Sequence, residues 1–332
     1  MWFETLTGFR EESPEQVRKF ISHDGDVLKS LCNGRTFACG QLDVLSLEEL
    51  RKLVHDSNLP SGELTMREVV ADVQDLHTDE TNSGALFQVA SQFNLLEMTS
   101  PDITPEQGIE RYEYDRTQGP ACAIAAGAGT IFRNYFADVD GQVGQSEGNQ
   151  IDCLFDLGAA LGNSQNRLWE MKNGYALATE YGLAEITEKL QSASMSEIDT
   201  LKDKLRIGLQ WNTEVTLAAS KHTVSQAFCS ALPVAYSNHS AGLWSEFAQF
   251  ILDATYEATF CAAVLNYSRT GNNSLFLTLI GGGAFGNRPE WISNAINRSL
   301  RRFKSVGLDV ILVSYGQPYQ DLNLPAHESF SE

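Results

Sequence analysis

Apolar positions recur along the chain with two spacings, one close to 3.6 residues and one close to two, and the changes between them outline the elements. Ser13 and Pro14 supply a helix cap and first helical residue, and Val17, Phe20 and Ile21 share one face behind them. Arg35–Val44, RTFACGQLDV, has β character and leads into Ser46, which opens a SLEELRKLV helix with Glu49 at the capping-box position. The segment from about Asp56 to Gly84 is polar and broken by Gly, Pro and Asp; Val69, Val70 and Val73 predict no more than a short helix or strand within a loop. Ala85–Met98, ALFQVASQFNLLEM, starts as a buried strand and turns polar at Ser91-Gln92-Phe93-Asn94. A polar stretch, Thr99–Arg116, precedes the small residues of ACAIAAGAGTIFRNYF, which suit a helix packed tightly on a sheet or lying close to a ligand.

In the middle of the chain, Ile151–Leu161 reads as a strand or a buried helix, and Leu168–Thr179 as a hairpin turning on Asn173-Gly174. Met195–Leu209 reads as a Ser-capped, charged surface helix. Val224–Tyr236 is expected to be a buried strand ending near Pro233, and Trp244–Leu265 a long helix, apolar on nearly every side and therefore covered. The apolar run Leu275–Ile280 then enters Gly281-Gly282-Gly283, followed by Ala284, Phe285, Gly286 and Asn287, a helix over Pro289–Phe303 and a last strand over Leu308–Tyr315. The polar tail from Gly316, with two prolines, is expected to drape over the surface. Strand and helix alternate in the last third, which predicts a parallel or mixed sheet with helices on both faces, in one domain.

A strand, a glycine loop and a helix in that order describe either a tight turn or a cradle for an anion. Glycines let backbone N–H groups approach a ligand, and a helix start leaves such groups unpaired. No GxxxxGK[ST] occurs, which excludes a P-loop. The strand after the glycines closes on Val313, Ser314 and Tyr315 with no carboxylate for a ribose, which disfavours a dinucleotide-binding unit for hydride transfer.

Composition narrows the choice. A chain of 332 residues, 42% of them hydrophobic, buries a large core. A net charge of −19 argues against binding to DNA or RNA backbones, so a bound nucleotide should be small. The six cysteines show no CxxC spacing and mostly apolar neighbours, so they are expected to be buried free thiols in an intracellular, cytoplasmic protein, with no metal or cofactor. The N-terminal MWFETLTGFREES lacks the features of a signal peptide, and no apolar run is long enough to span a bilayer, so the protein is expected to be soluble and free of membrane contacts.

The succession of long helix, strand, GGGAFGN, helix and terminal strand resembles the closing third of the macrodomain fold, and GAFGN resembles the diphosphate loop of poly(ADP-ribose) glycohydrolases. GQLDVLSLEEL is similar to the opening strand and helix of that family, ASQFN to the strand end whose asparagine faces the terminal ribose, and KNGYALAT to its middle segment. The family's glycine-rich first loop with paired glutamates has no counterpart; the acidic stretch to Asp115 and the TQGPACA segment stand in its place. The resemblance implies a three-layer α/β/α fold with a mixed central sheet. It would occupy 1–332 as one domain, with a helical N-terminal extension over about 1–34 and an elaboration over about 141–220.

It also implies residue roles. Gly281, Gly282, Gly283, Ala284, Phe285, Gly286 and Asn287 would wrap a diphosphate, with Phe285 against a ribose. Asn94 would bond the terminal ribose, Gln41 or Asp43 the adenine amine, and Tyr315 would stack on the adenine ring. Hydrolysis at the anomeric carbon passes through an oxocarbenium-like state and needs an acid or base. Asp115 is the first candidate, ahead of Glu97 and Glu113; none of the six histidines adjoins a nucleophile motif. The expected function is an ADP-ribosyl hydrolase acting on modified protein or polymer, and the alternative is a reader module that holds ADP-ribose without cleaving it.

Overall fold

The computed structural model describes residues 1–57, 61–319 and 324. Its centre is a seven-stranded mixed sheet. In chain order the strands are β1 (Gln41–Ser46), β2 (Thr65–Val70), β3 (Leu86–Ala90), β4 (Arg206–Glu214), β5 (Thr223–Cys229), β6 (Ser274–Leu277) and β7 (Asp309–Ser314). Across the sheet they run β1-β4-β5-β3-β6-β7-β2; β4 is antiparallel to both of its neighbours, and the other four pairings are parallel.

Side chains that alternate along the strands show which helices cover which face. On β3, Phe87 stacks on His77 from the Val73–Thr78 helix at 3.8 Å, whereas the next residue, Gln88, donates to Thr259 of the Ala241–Thr270 helix at 2.9 Å. On β5, Phe228 lies under Arg133 of the Gly127–Tyr135 helix, and Cys229 turns the other way to Thr259. Helices therefore cover both faces, giving the three-layer α/β/α arrangement expected. The long helix forms the centre of one layer, buried around most of its circumference as its apolar sequence requires.

Several elements follow the sequence closely. Ser46 caps the Leu47–Asp56 helix in a capping box with Glu49. The Trp169–Lys172 and Tyr175–Ala178 strands form a hairpin whose Asn173 and Gly174 both take positive φ, 46° and 79°. The ambiguous Ile151–Leu161 run is helical over Phe155–Leu161.

Two expectations are corrected and a third is made specific. Met195–Leu209 is a helix only to Lys202, and Arg206 begins the nine-residue β4, so the elaboration about 141–220 contains a strand of the central sheet. The 56–84 segment, read as a loop with a short helix or strand, contains both: β2, the edge strand beside β7, and the Val73–Thr78 helix. The N-terminal extension is helical at Trp2–Thr7 and Pro14–Phe20, then forms a three-stranded sheet over Ile21–Asp24, Val27–Ser30 and Thr36–Ala38. Its Phe3, Leu6, Phe9 and Val17 pack with Ile109, Tyr112 and Ile131 in a second apolar cluster.

The six cysteines are unpaired; five are buried and Cys32 is exposed. Among the described residues no helix is long and apolar enough to cross a membrane, and no group of His, Cys, Asp or Glu is placed to hold a metal. Most of the tail expected to drape from Gly316 lies outside the described residues.

Candidate active site

The parallel strands β3, β6, β7 and β2 all point their C-terminal ends at one cleft of about 820 Å³, where α/β sheets place their ligands. It opens because β3 and β6 part company. They pair only at Leu86–Leu275 and Phe87–Phe276. Beyond that the side chain of Gln118 substitutes for a strand, accepting the Ala90 N–H at 2.9 Å and donating to Gln88 O at 2.8 Å. Gly119 next to it lies so close to β3 that a Cβ there would fall 1.9 Å from Ala90 O. The small residues of TQGPACA thus bring a helix start against the strand end.

On the other side of the gap the chain leaves β6 in the glycine loop, which the protein braces from behind. Tyr256 of the long helix donates to Thr278 O at 2.7 Å and accepts from the Ile280 N–H at 3.0 Å. Asn287 closes the loop: its backbone N–H reaches Gly281 O at 2.9 Å and its amide donates to Leu232 O at 2.8 Å. Gly281 has φ of 75°, and a Cβ there would lie 2.5 Å from Ala231 Cβ, so both conformation and space demand glycine. The N–H groups of Gly282, Gly286 and Asn287 are spent inside the loop, whereas those of Gly283, Ala284 and Phe285 find no acceptor among the described residues. All three of these residues line the cleft. Successive free amides of this kind form an anion-binding concavity.

Phe285 also belongs to an aromatic wall. Its ring lies 5.3 Å from Tyr175 and 5.6 Å from Tyr236, and those two are 5.1 Å apart. Tyr175 comes from the NGYALAT hairpin and is anchored by its hydroxyl on Met98 O at 2.6 Å. Tyr315 stands 80% exposed at the rim of the cleft. Asp72, after β2, caps Gln74 at 2.8 Å and borders the same rim.

The floor is a strap, Ser91–Met98, leaving β3. It turns sharply at Leu95, a non-glycine residue at φ 65°. Its most unusual member is Glu97, which borders the cleft at 2% exposure. Neither carboxyl oxygen has a hydrogen-bond partner among the described residues, and the nearest cation is Arg133 Nη2 at 3.6 Å. Burial raises the Glu97 carboxyl to about 8, with Arg133 and then the Tyr112 hydroxyl pulling the other way. A carboxyl raised in this way favours its protonated form, the form from which a general acid acts.

The other expected carboxylates, Asp115 and Glu113, border the cleft as well. Asp115 accepts the Thr117 N–H at 2.8 Å, and Glu113 the Trp2 N–H at 2.9 Å. The cleft therefore gathers Glu97, Glu113, Asp115, Gly281–Phe285 and Tyr315. Gly286 and Asn287 sit behind it as braces.

Asn94 and the pair Gln41 and Asp43 are placed elsewhere. Asn94 is fully buried beneath the strap, donating to Gln150 Oε1 at 2.7 Å and accepting from Leu96 N, so its side chain is turned from the cleft that Ser91 and Gln92 border. Gln41 begins β1, the far edge of the sheet, and its register partner Trp211 lies toward the end opposite the cleft. Asp43 is engaged by the Trp211 indole at 2.8 Å. Sequence reasoning did not single out Asp72, Gln118, Tyr175, Tyr236 or Arg133. For Asp72 a signal existed, since it is the first carboxylate after the Val69-Val70 pair; for Arg133 there was none.

No protein-family model matches the sequence, and no curated protein sequence matches it. Several solved structures are similar in fold. The poly(ADP-ribose) glycohydrolase of Thermomonospora curvata, bound to the inhibitor ADP-HPD, has 10% identity and a TM-score of 0.45, with 93% of this chain and 92% of that chain covered. The poly(ADP-ribose) glycohydrolase of Deinococcus radiodurans, in complex with ADP-ribose, has 11% identity and a TM-score of 0.43, with 83% of this chain and 89% of that chain covered.

Proposed function

We propose that the cleft binds ADP-ribose and that the protein hydrolyses the glycosidic bond joining it to a modified protein or polymer. The observation that carries this reading is the meeting, in one cleft, of three acceptor-less amides on a glycine loop with the buried carboxyl of Glu97. Amides suit a diphosphate in a protein of this negative charge because they bind anions without adding lysines. In this arrangement Gly283, Ala284 and Phe285 hold the phosphates. Phe285, Tyr175 and Tyr236 enclose the terminal ribose, and Tyr315 stacks on the adenine. Asp72 takes the adenine amine, the role the resemblance assigned to Gln41 or Asp43.

Glu97 then supplies the chemistry. As an acid it gives its proton to the departing atom as the anomeric bond breaks; as a carboxylate it takes a proton from the water that completes hydrolysis, which restores the starting state. Arg133 stabilises the carboxylate while it lasts. Asp115 and Glu113, on the same cleft, are the carboxylates available to direct that water.

A binding module that never cleaves is favoured by one observation, the 2% exposure of Glu97, which leaves little of the carboxyl for a substrate to touch. Calorimetry decides whether the cleft is a site for ADP-ribose at all. ADP-ribose should bind more tightly than AMP, which lacks the second phosphate and terminal ribose. Equal affinity, or binding unaffected by a Gly283→Val substitution in a folded protein, would remove the assignment.

A further inference from the structure

Glu97 does not lie in an ordinary salt bridge. Arg133, its only cationic neighbour among the described residues, is fully buried, and its guanidinium lies 3.5 Å from the centre of the Phe228 ring. Nε donates to Leu95 O at 3.1 Å and Nη2 to Thr130 Oγ1 at 3.2 Å, leaving Nη1 with no acceptor. The ion pair itself is 3.6 Å long and completes no hydrogen bond to either carboxyl oxygen. A buried guanidinium and a buried carboxyl left this incompletely satisfied are expensive, and apolar residues of the same volume would make a more stable core. The strap above them adds backbone strain at Leu95. Cost and strain concentrated beneath a cleft are expected where a group is tuned for chemistry.

We propose that Arg133 is the positioning residue of this site: it holds the Leu95–Glu97 strap beneath the cleft and sets how tightly Glu97 keeps its proton. Geometry divides the two tasks within one side chain. Nε fixes Leu95 through its carbonyl, and the face of the guanidinium is clamped on Phe228, so the charge is delivered to Glu97 at a fixed distance rather than through a bond that would lock the carboxyl. Glu97 can then gain and lose a proton without a guanidinium hydrogen bond having to break. The other titratable groups facing it are Tyr112, whose hydroxyl accepts the Glu97 N–H at 3.0 Å, and Cys122; Glu11 lies behind Tyr112, and Asp72 acts on Cys122. Burial pushes Tyr112 and Cys122 well above their ordinary values, so both are neutral, and Arg133 is the one charge at hand to steady the anion.

The inference rests on Glu97 being the acid of the proposed reaction, but its test needs no substrate. The measurement is the carbon NMR titration of the Glu97 carboxyl in the full chain, with Glu97→Gln assigning the resonance. Removing an opposite charge at this distance raises a carboxyl by about one to three units, so Arg133→Met should move the midpoint up by that much. Arg133→Lys, with its charge kept, should hold the midpoint within about one unit of the parent. If Arg133→Met does not fold, Arg133→Gln, which keeps a donor for Leu95 O and loses the charge, must show the same rise. An unmoved midpoint in either folded neutral variant overturns the proposal, and so does an equal rise in the lysine variant. Should the midpoint move as expected while no ADP-ribose is released by the parent protein, the reaction fails and the role of Arg133 stands.

Discussion

Replacing Glu97 by Gln should change how stability depends on pH, and the structure sets the size of the change. The ordinary carboxyl value is 4.5, and in the folded protein burial lifts it to about 8. Between those values the unfolded chain has lost this proton and the folded one keeps it, so folding takes up one proton. A carboxyl raised on folding contributes stability that is complete below 4.5 and is lost as pH climbs through the folded value. One proton corresponds to a slope of about 1.4 kcal/mol per pH unit, and the loss levels off above the folded value. Glu11, Glu110, Asp152 and Asp203 are also raised by burial, and His77 is lowered to about 4, so the parent's total pH dependence mixes several groups. The difference between parent and Glu97→Gln cancels them, because glutamine has the shape and the neutrality of the protonated acid. Urea unfolding of both proteins from about pH 5 to about pH 9 should show the variant gaining on the parent at close to the one-proton slope, by a few kcal/mol in all. A difference that stays constant over this range would show that Glu97 is ionised in the folded protein, and the acid role would go with it.

Other consequences concern the loop and rim. Gly281→Ala, with φ of 75° and a contact of 2.5 Å to relieve, should cost about 2–4 kcal/mol in thermal or urea unfolding. Gly283→Val meets nothing within 4 Å of its Cβ and should leave stability nearly unchanged, yet lower ADP-ribose affinity by at least about tenfold in calorimetry. Tyr315→Ala, at an exposed position, should weaken ADP-ribose by about threefold to thirtyfold without changing unfolding, by loss of one stacking contact. Asp115→Ala should lower turnover with little effect on ADP-ribose affinity if Asp115 directs water, and a variant with full turnover would assign that task to Glu113.

Parts of the fold were legible because local chemistry left one solution. The Asn173-Gly174 turn, the Ser46 cap and the all-round apolar long helix each carry their reason within a few residues. Strands β4 and β2 were hidden for opposite reasons. β4 is buried on both faces, so its pattern has no alternation, and it follows a charged helix without a turn signal. β2 lies at the sheet edge with most side chains exposed, so no more than a short helix or strand within a loop can be read there. The glycine loop could be recognised, but which amides remain free could not, since that depends on closure by Asn287 and Tyr256. Asn94 shows the limit most clearly. A polar residue after a buried strand points to the mouth of the sheet, yet the turn at Leu95 sends this one under the strap to Gln150 and leaves Glu97 at the cleft. The environment of Glu97 comes from Arg133 and Tyr112 on separate elements, brought together only by tertiary packing.

The central claim, that the cleft is a hydrolytic site run by Glu97, is tested most directly by single-turnover release of ADP-ribose from an ADP-ribosylated protein, comparing the parent with Glu97→Gln at enzyme excess. Release by the parent should fall as pH rises through about 8, and the variant should lose about a hundredfold to ten-thousandfold in rate with ADP-ribose affinity retained. Release by Glu97→Gln at the parent's rate would contradict it, as would a parent that binds ADP-ribose and releases none from mono- or poly-modified protein.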